Sequence, residues 1–331
     1  LRTRVRSYFT AAEKRKRINE MVTIAARVHP IVCAIPLEAA VREIRLIAQH
    51  RPPYNRRSRS PATEPWIRLT DEAFPRPSIV RSVPLTQRSG VLGPFRSRSQ
   101  AALALEAITS GFSLRACTER LPAVANPQAN ACSLAQLGRC AAPCVGGVDR
   151  EGYAAALQGY LDFCDGDSQP LLARTSQRIE LLITQERFEE AARERDRCQA
   201  LLRGAQRLQR LRVSRSPQIV AARPASGGWE IIVARHGRLA SSALVARAAD
   251  VLDTVTAMLA TAEDVPEPTT WSGAALVEET ELISHWLEQP GARLIELTGE
   301  VGPSRPLRGA DHALSNLAAL LVTSGIQDDA A

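Results

Sequence analysis

Four cysteines crowded into one short stretch limit this chain more than any other feature. Cys117, Cys132, Cys140 and Cys144 lie within 28 residues, separated by fourteen, seven and three residues, and the last two sit in the Gly- and Pro-containing loop GRCAAPC. Four thiols so close in sequence read as one site. Spacing alone does not choose the metal, because four cysteinates satisfy zinc as readily as an iron–sulfur cluster. The other three thiols, Cys33, Cys164 and Cys198, fall in apolar strand or helix patterns that suit burial. No export signal is read, so disulfides are not expected.

With 331 residues the chain is too long for one small core and is expected to form two or three domains. No apolar stretch approaches the ~20 residues that a membrane-spanning helix requires, so no membrane role is expected and the chain is read as cytoplasmic. The formal net charge of +7 is uneven. Residues 250–331 carry fourteen Asp or Glu against three Arg, which leaves about +18 on residues 1–249. Lys14 and Lys16 are the only lysines. The remaining positive charge is Arg, whose planar fork suits bidentate phosphate contacts, although codon bias in a GC-rich genome gives the same preference. Clustering at 2–17, 51–59 and 76–98 is harder to attribute to bias and points to a polyanion partner.

The fold class expected is α+β. Residues 11–29 read as a helix with a basic start, PIVCAIP (30–36) as a short buried strand, and LEAAVREIRLIAQH (37–50) as an amphipathic helix. On that helix Leu37, Ala40, Val41, Ile44, Ile47 and Ala48 share one stripe, Glu43 lies on its border and half sheltered, and Glu38 lies beyond the opposite border. Strands follow at 66–70 and 78–83, a loop at 91–95 and a helix near 98–110. Residues 178–203 read as two short antiparallel helices turning near Gln185 to Arg187. QIVAARP and WEIIVARHGRLASSALVA alternate like a hairpin that turns at His236 and Gly237, and 274–291 reads as a helix that stops at Pro290. Four segments result: 1–57, 58–148, 149–212 and an acidic α/β module at 213–331 of unknown role.

LRTRVRSYFT (1–10), followed by PLEAAVREIRLIAQHRPPYN (36–55), resembles the second half of the GIY-YIG nuclease domain of the excinuclease UvrC and of its shorter homologue Cho. The likeness continues in the family's order through WIRLTDEAFPR, LGPF, FSLRACT, GRCAAPCVG and FEEAARERD, and covers roughly residues 1–205. It implies a DNA-repair endonuclease of the nucleotide excision type. By resemblance Glu43 is the ligand of a divalent metal (Mg or Mn), Arg4 the cation facing the phosphate, Tyr8 its aromatic neighbour and Asn55 the polar residue closing the site. The four cysteines correspond to those that hold a [4Fe-4S] cluster in UvrC, with zinc as the alternative. The helical pair at 178–203 resembles the UVR hairpin through which UvrC docks on UvrB. Phe188, Ala191, Ala192 and Cys198 are equally expected to pack inside the chain.

The two tyrosine motifs that name the domain lie upstream of Leu1, so residues 1–331 alone are expected to be nearly inert, with restoration of those two strands expected to restore cleavage. The whole layout looks like the second half of chains in which a DEDD-type exonuclease precedes a UvrC- or Cho-like part. A second function class, a non-catalytic DNA-binding and partner-docking fragment stabilised by its metal, stays open at this point.

Overall fold

Alternating and helical apolar periods convert into elements in the order that the chain supplies them. The computed structural model describes residues 2–10, 14–55, 64–87, 89–126, 128, 130–136, 140–271, 273, 275–299 and 314. In chain order these form α1 (Arg2–Ser7), α2 (Lys16–Ile24), α3 (Pro36–His50), β1 (Trp66–Leu69), β2 (Pro77–Val80), β3 (Val91–Leu92), α4 (Arg98–Gly111), α5 (Ser133–Gln136), α6 (Arg150–Cys164), α7 (Gln169–Thr184), α8 (Phe188–Ser214), β4 (Gln218–Ala225), β5 (Gly228–Arg235), β6 (Arg238–Val245), α9 (Val251–Thr261), α10 (Val277–Leu287) and β7 (Arg293–Thr298). None of the helices is long and apolar enough to cross a membrane. Two compact units arise, one drawing on Leu1–Pro61, Pro217–Val265 and Ala275–Leu297, the other on Ala62–Ser216 and Pro266–Ala274.

The first unit is built on a four-stranded sheet of order β6-β5-β4-β7. β5 and β6 are joined by His236 and Gly237, with φ of 49° and 81°, the positive pair that a two-residue hairpin needs to match strand twist. Side chains alternate across the sheet. Val220, Ala222, Ile231 and Val233 face Val251, Val255 and Met258 of α9. Ile219, Ala221, Ile232 and Ala234 face Ile283 and Trp286 of α10, together with Ile35, Leu37 and Val41 around α3. Each fully buried Ile or Leu here contributes on the order of 2 kcal/mol. The helix near the amino terminus and the module after residue 213 therefore share one core.

Pro36 opens α3 at a position where the missing N–H costs nothing. The strand expected at 30–36 does not form: the segment is extended coil, with Val32 92% exposed and Cys33 only half-buried. Proline at each end removes ladder donors, and an apolar run cannot by itself supply the neighbour a strand pairs with.

The second unit holds the antiparallel sheet β2-β1-β3, covered by α4, which packs in turn on α8. Val91 and Leu92, expected in a loop, pair with Arg68 and Ile67 as β3. Gly204 of α8 lies against the Phe95 ring, where a Cβ would overlap the ring carbons, so the crossing needs glycine. The turn at 185–187 forms where expected, but α7 and α8 run to 16 and 27 residues rather than being short. Ser97 caps α4 through the Gln100 N–H, and Asp149 caps α6 through the Gly152 N–H at 2.7 Å. Between these two helices runs the loop-rich segment that carries the cysteines.

Candidate functional site

The candidate site residues fall into two sets, one in each unit. In the first unit, α3 buries Leu37, Val41, Ile44 and Ile47 and leaves Glu43 exposed, which corrects the half-sheltered position expected for it. The sheltered carboxylate is Glu38. Its Oε2 accepts the Ala34 N–H at 2.7 Å and the Ser242 hydroxyl at 3.1 Å, and its Oε1 accepts Arg42 Nη2 at 3.0 Å. Reaching back to an N–H ahead of the helix, Glu38 acts as a capping carboxylate and is fully committed. Glu43 makes no hydrogen bond or ion pair among the described residues. An exposed, uncommitted carboxylate is the kind of ligand a hydrated divalent cation takes.

Arg4 lies within α1, and Tyr8 follows its end, half-buried. Asn55 closes the turn after α3, with its N–H on the Pro52 carbonyl at 3.3 Å. α2 holds this turn. Arg17 Nη2 donates to the Pro53 carbonyl at 2.6 Å, and its guanidinium lies 5.9 Å from the Tyr54 ring centre. Burial, then a hydrogen bond with Glu20, push the Tyr54 phenol above its usual range. Arg17 and Glu20 thus position the Asn55 turn, a role that reading the basic run as a charge cluster did not reveal. No hydrogen bond joins Glu43 to Tyr8 or Asn55.

Two residues past Glu43, Arg45 points the other way and fixes the helix. Its Nε and Nη2 grip the fully buried Glu279 carboxylate at 3.0 and 2.5 Å, and Nη2 also donates to the Leu239 carbonyl at 2.9 Å. Glu279 Oε1 accepts the Leu239 N–H at 2.8 Å. Burial opposes the Arg45 charge, and Glu279 and Glu263 outweigh it, holding the guanidinium pKa above its ordinary value. A groove of about 470 Å³ runs between α3 and β6, but Glu38, Arg42, Arg45 and Glu263 along it are all paired with one another or with Glu279.

In the second unit the cysteines share one neighbourhood. Burial pushes the Cys140 thiol up, the Ala142 N–H at 3.4 Å from its sulfur pulls it back, and the charges of Cys117, Cys132 and Cys144 push it up again. The other three cysteines therefore all lie near enough to act on Cys140. They are not drawn to ligand spacing: among the described residues no three His, Cys, Asp or Glu side chains converge closely enough to hold a metal ion. The donor set itself fits a soft, thiolate-bound metal. Local backbone shapes the turn between the last two: Ala142 has φ of 52° and its carbonyl accepts the N–H groups of Val145 and Gly147. A Cβ on Gly147 would meet the Ala141 carbonyl at 2.6 Å, so only glycine closes this turn. Cys164 and Cys198 are buried helix residues with thiols pushed up to about 12 and about 11 by burial, which makes them inert.

Residues 1–56 match the family model of the UvrC-like GIY-YIG domain, and residues 64–163 match that of the UvrC/Cho excinuclease middle domain. Over these residues the chain is UvrC/Cho-like. Glu43, Arg4, Tyr8 and Asn55 fall within the first match, and all four clustered cysteines within the second. A Mycobacterium tuberculosis protein, described as a candidate bifunctional exonuclease/endonuclease, is 37% identical over 315 residues, covering 94% of this chain and 48% of that protein. The UvrABC system protein C of Moorella thermoacetica is 35% identical over 202 residues, and that of Geobacter metallireducens 37% over 210, each covering 61% of this UvrC/Cho-like chain and 32% of the relative. The chain thus spans a third to a half of the length of these relatives. A match over 94% of the chain cannot avoid the module after residue 213, so the mycobacterial relative shares most of that module too. No solved structure matches the chain.

Proposed function

We propose that this UvrC/Cho-like chain belongs to a DNA-repair nuclease that cuts phosphodiester bonds of the DNA strand with the help of a divalent cation. The observation that carries the reading is the ordered pair of matches, a UvrC-like GIY-YIG domain at 1–56 running into a UvrC/Cho middle domain at 64–163, across the most basic part of the sequence. Glu43 would hold Mg or Mn, Arg4 would face the phosphate, Tyr8 would flank it and Asn55 would close the site. The cation, when bound, supplies Lewis acidity at the scissile phosphate. Cys117, Cys132, Cys140 and Cys144 would hold a [4Fe-4S] cluster, with zinc as the alternative.

Likeness to the mycobacterial protein suggests an exonuclease activity in the same polypeptide, and likeness to UvrC suggests UvrB as a partner in the cytoplasm. Support for docking through 178–203 comes from the tip of the α7–α8 pair. Phe188, expected to be needed inside, is 57% exposed, and Leu181 is 47% exposed, while Ala191 and Cys198 bury as expected. The second reading, a non-catalytic chain that binds DNA and a partner, draws on the same exposed α7–α8 tip and on the basic first three quarters of the sequence.

DNA binding separates both readings from a chain that never meets nucleic acid. With about +18 over residues 1–249, affinity for a short duplex should fall on the order of 1,000-fold between 50 and 200 mM salt, because each neutralised phosphate releases counterions. Titration by fluorescence anisotropy at the two salt concentrations checks this. Equal affinity at both would contradict a basic DNA-binding surface.

A further inference from the structure

Arg115 is a charged side chain with no exposure to solvent. Its Nε and Nη1 are hydrogen-bonded, while Nη2 has an ion pair and no hydrogen bond. Nε donates to the Phe74 carbonyl at 2.7 Å, Nη1 donates to the Glu119 carbonyl at 2.7 Å and to the Cys117 carbonyl at 3.1 Å, and Nη2 forms an ion pair with Glu72. The remaining contact is the informative one: Nη1 lies 3.1 Å from Cys117 Sγ. The backbone N–H of Arg115 is held in turn by the Tyr153 hydroxyl, which donates to the Pro75 carbonyl at 2.7 Å. Glu72 is fixed by the Thr70 hydroxyl at 2.5 Å. Nη1 has two hydrogens, and the Glu119 and Cys117 carbonyls already accept from it, so the sulfur is an additional acceptor. An N–H at this distance fixes where the Cys117 sulfur sits relative to the buried guanidinium.

We propose that Arg115 is the positioning residue of the cysteine centre: through Nη1 it fixes the Cys117 sulfur in the shared site, so that the metal is held tightly only while Arg115 is in place. The inference rests on the reading that the four cysteines form one metal site. It adds a residue and a network, Glu72 to Arg115 to Cys117, which tie the site to the β1–β2 loop and, through Tyr153, to α6. Outer groups of this kind typically change metal affinity by about 10- to 100-fold.

The test uses the whole chain purified anaerobically with its own metal, and reads three quantities: metal content, the thiolate-to-metal absorption bands, and the rate of metal transfer to excess chelator. Arg115→Lys keeps the charge and removes the fork. It should release metal at least about tenfold faster and shift the bands. Glu72→Gln loosens the guanidinium from its far side, serves if Arg115→Lys does not fold, and should move both quantities in the same direction by less. Leu182→Ala, in the buried contact of α7 and α8 away from the cysteines, should lower the melting temperature while leaving release rate and bands as in the wild type. If Arg115→Lys and Glu72→Gln release metal and absorb as the wild type does, or if Leu182→Ala speeds release equally, the positioning role is overturned. A wild-type chain that holds no metal at all overturns the site reading first, and this proposal with it.

Discussion

Replacing Arg45 by Met should destabilise the first unit by about 4 kcal/mol, because it strips a buried carboxylate of its cation. Glu279 is fully buried, and without Arg45 it keeps only the Leu239 N–H. Glu279→Leu should cost less. Arg45 retains 29% exposure of its side chain and can turn toward water, so the loss is then mainly the orphaned Leu239 N–H and altered packing, about 1–3 kcal/mol. The order matters more than the sizes: an ion pair that merely decorated a surface would give two equal losses below about 1 kcal/mol. Thermal unfolding followed by circular dichroism should show a drop on the order of 10 °C for Arg45→Met. A drop no larger than that of Glu279→Leu would mean that α3 does not share a core with α10 in solution.

Cys140→Ala should abolish metal retention altogether. Its sulfur is the one on which the other three act, it receives the Ala142 N–H, and three remaining thiolates leave a centre open to water and to exchange. Cys33→Ala should leave metal content unchanged, since Cys33 sits in coil in the other unit with its thiol turned to the Ile31 carbonyl. Elemental analysis with absorption spectra of anaerobically purified protein decides. Iron with acid-labile sulfide and a brown colour supports the cluster. Stoichiometric zinc in colourless protein keeps the site and replaces the cluster. Full metal content in Cys140→Ala would break the site.

Local periodicity made much of this legible. α3 could be read because Leu37, Val41, Ile44 and Ile47 repeat at helical spacing, and the β5–β6 hairpin because His236 and Gly237 interrupt two alternating runs. Four thiols in 28 residues raise the expectation of one site from the sequence alone. Non-local partners were invisible. Whether the apolar run at 30–36 pairs as a strand depends on a neighbour that its own composition does not encode. Glu43 and Glu38 exchanged expected surroundings because the stripe was drawn without knowing that β6 covers the Glu38 side through Ser242. Arg115 stood in the motif FSLRACT, two residues before a cysteine, yet its role comes from Glu72 and Phe74, brought to it by the β1–β2 loop.

Strand cleavage tests the central claim, that residues 1–56 carry the carboxylate half of a GIY-YIG nuclease site. The measurement is nicking of supercoiled plasmid in Mg or Mn by the chain extended ahead of Leu1 with the two tyrosine-bearing strands of the family, compared with its Glu43→Gln variant. Removing a carboxylate that anchors the metal is worth several kcal/mol in the transition state, so the account predicts cation-dependent nicking that falls at least about 100-fold in Glu43→Gln while DNA affinity stays unchanged. Nicking by residues 1–331 alone at a rate that Glu43→Gln does not alter would contradict it, and would move the search for the catalytic groups to the module after residue 213.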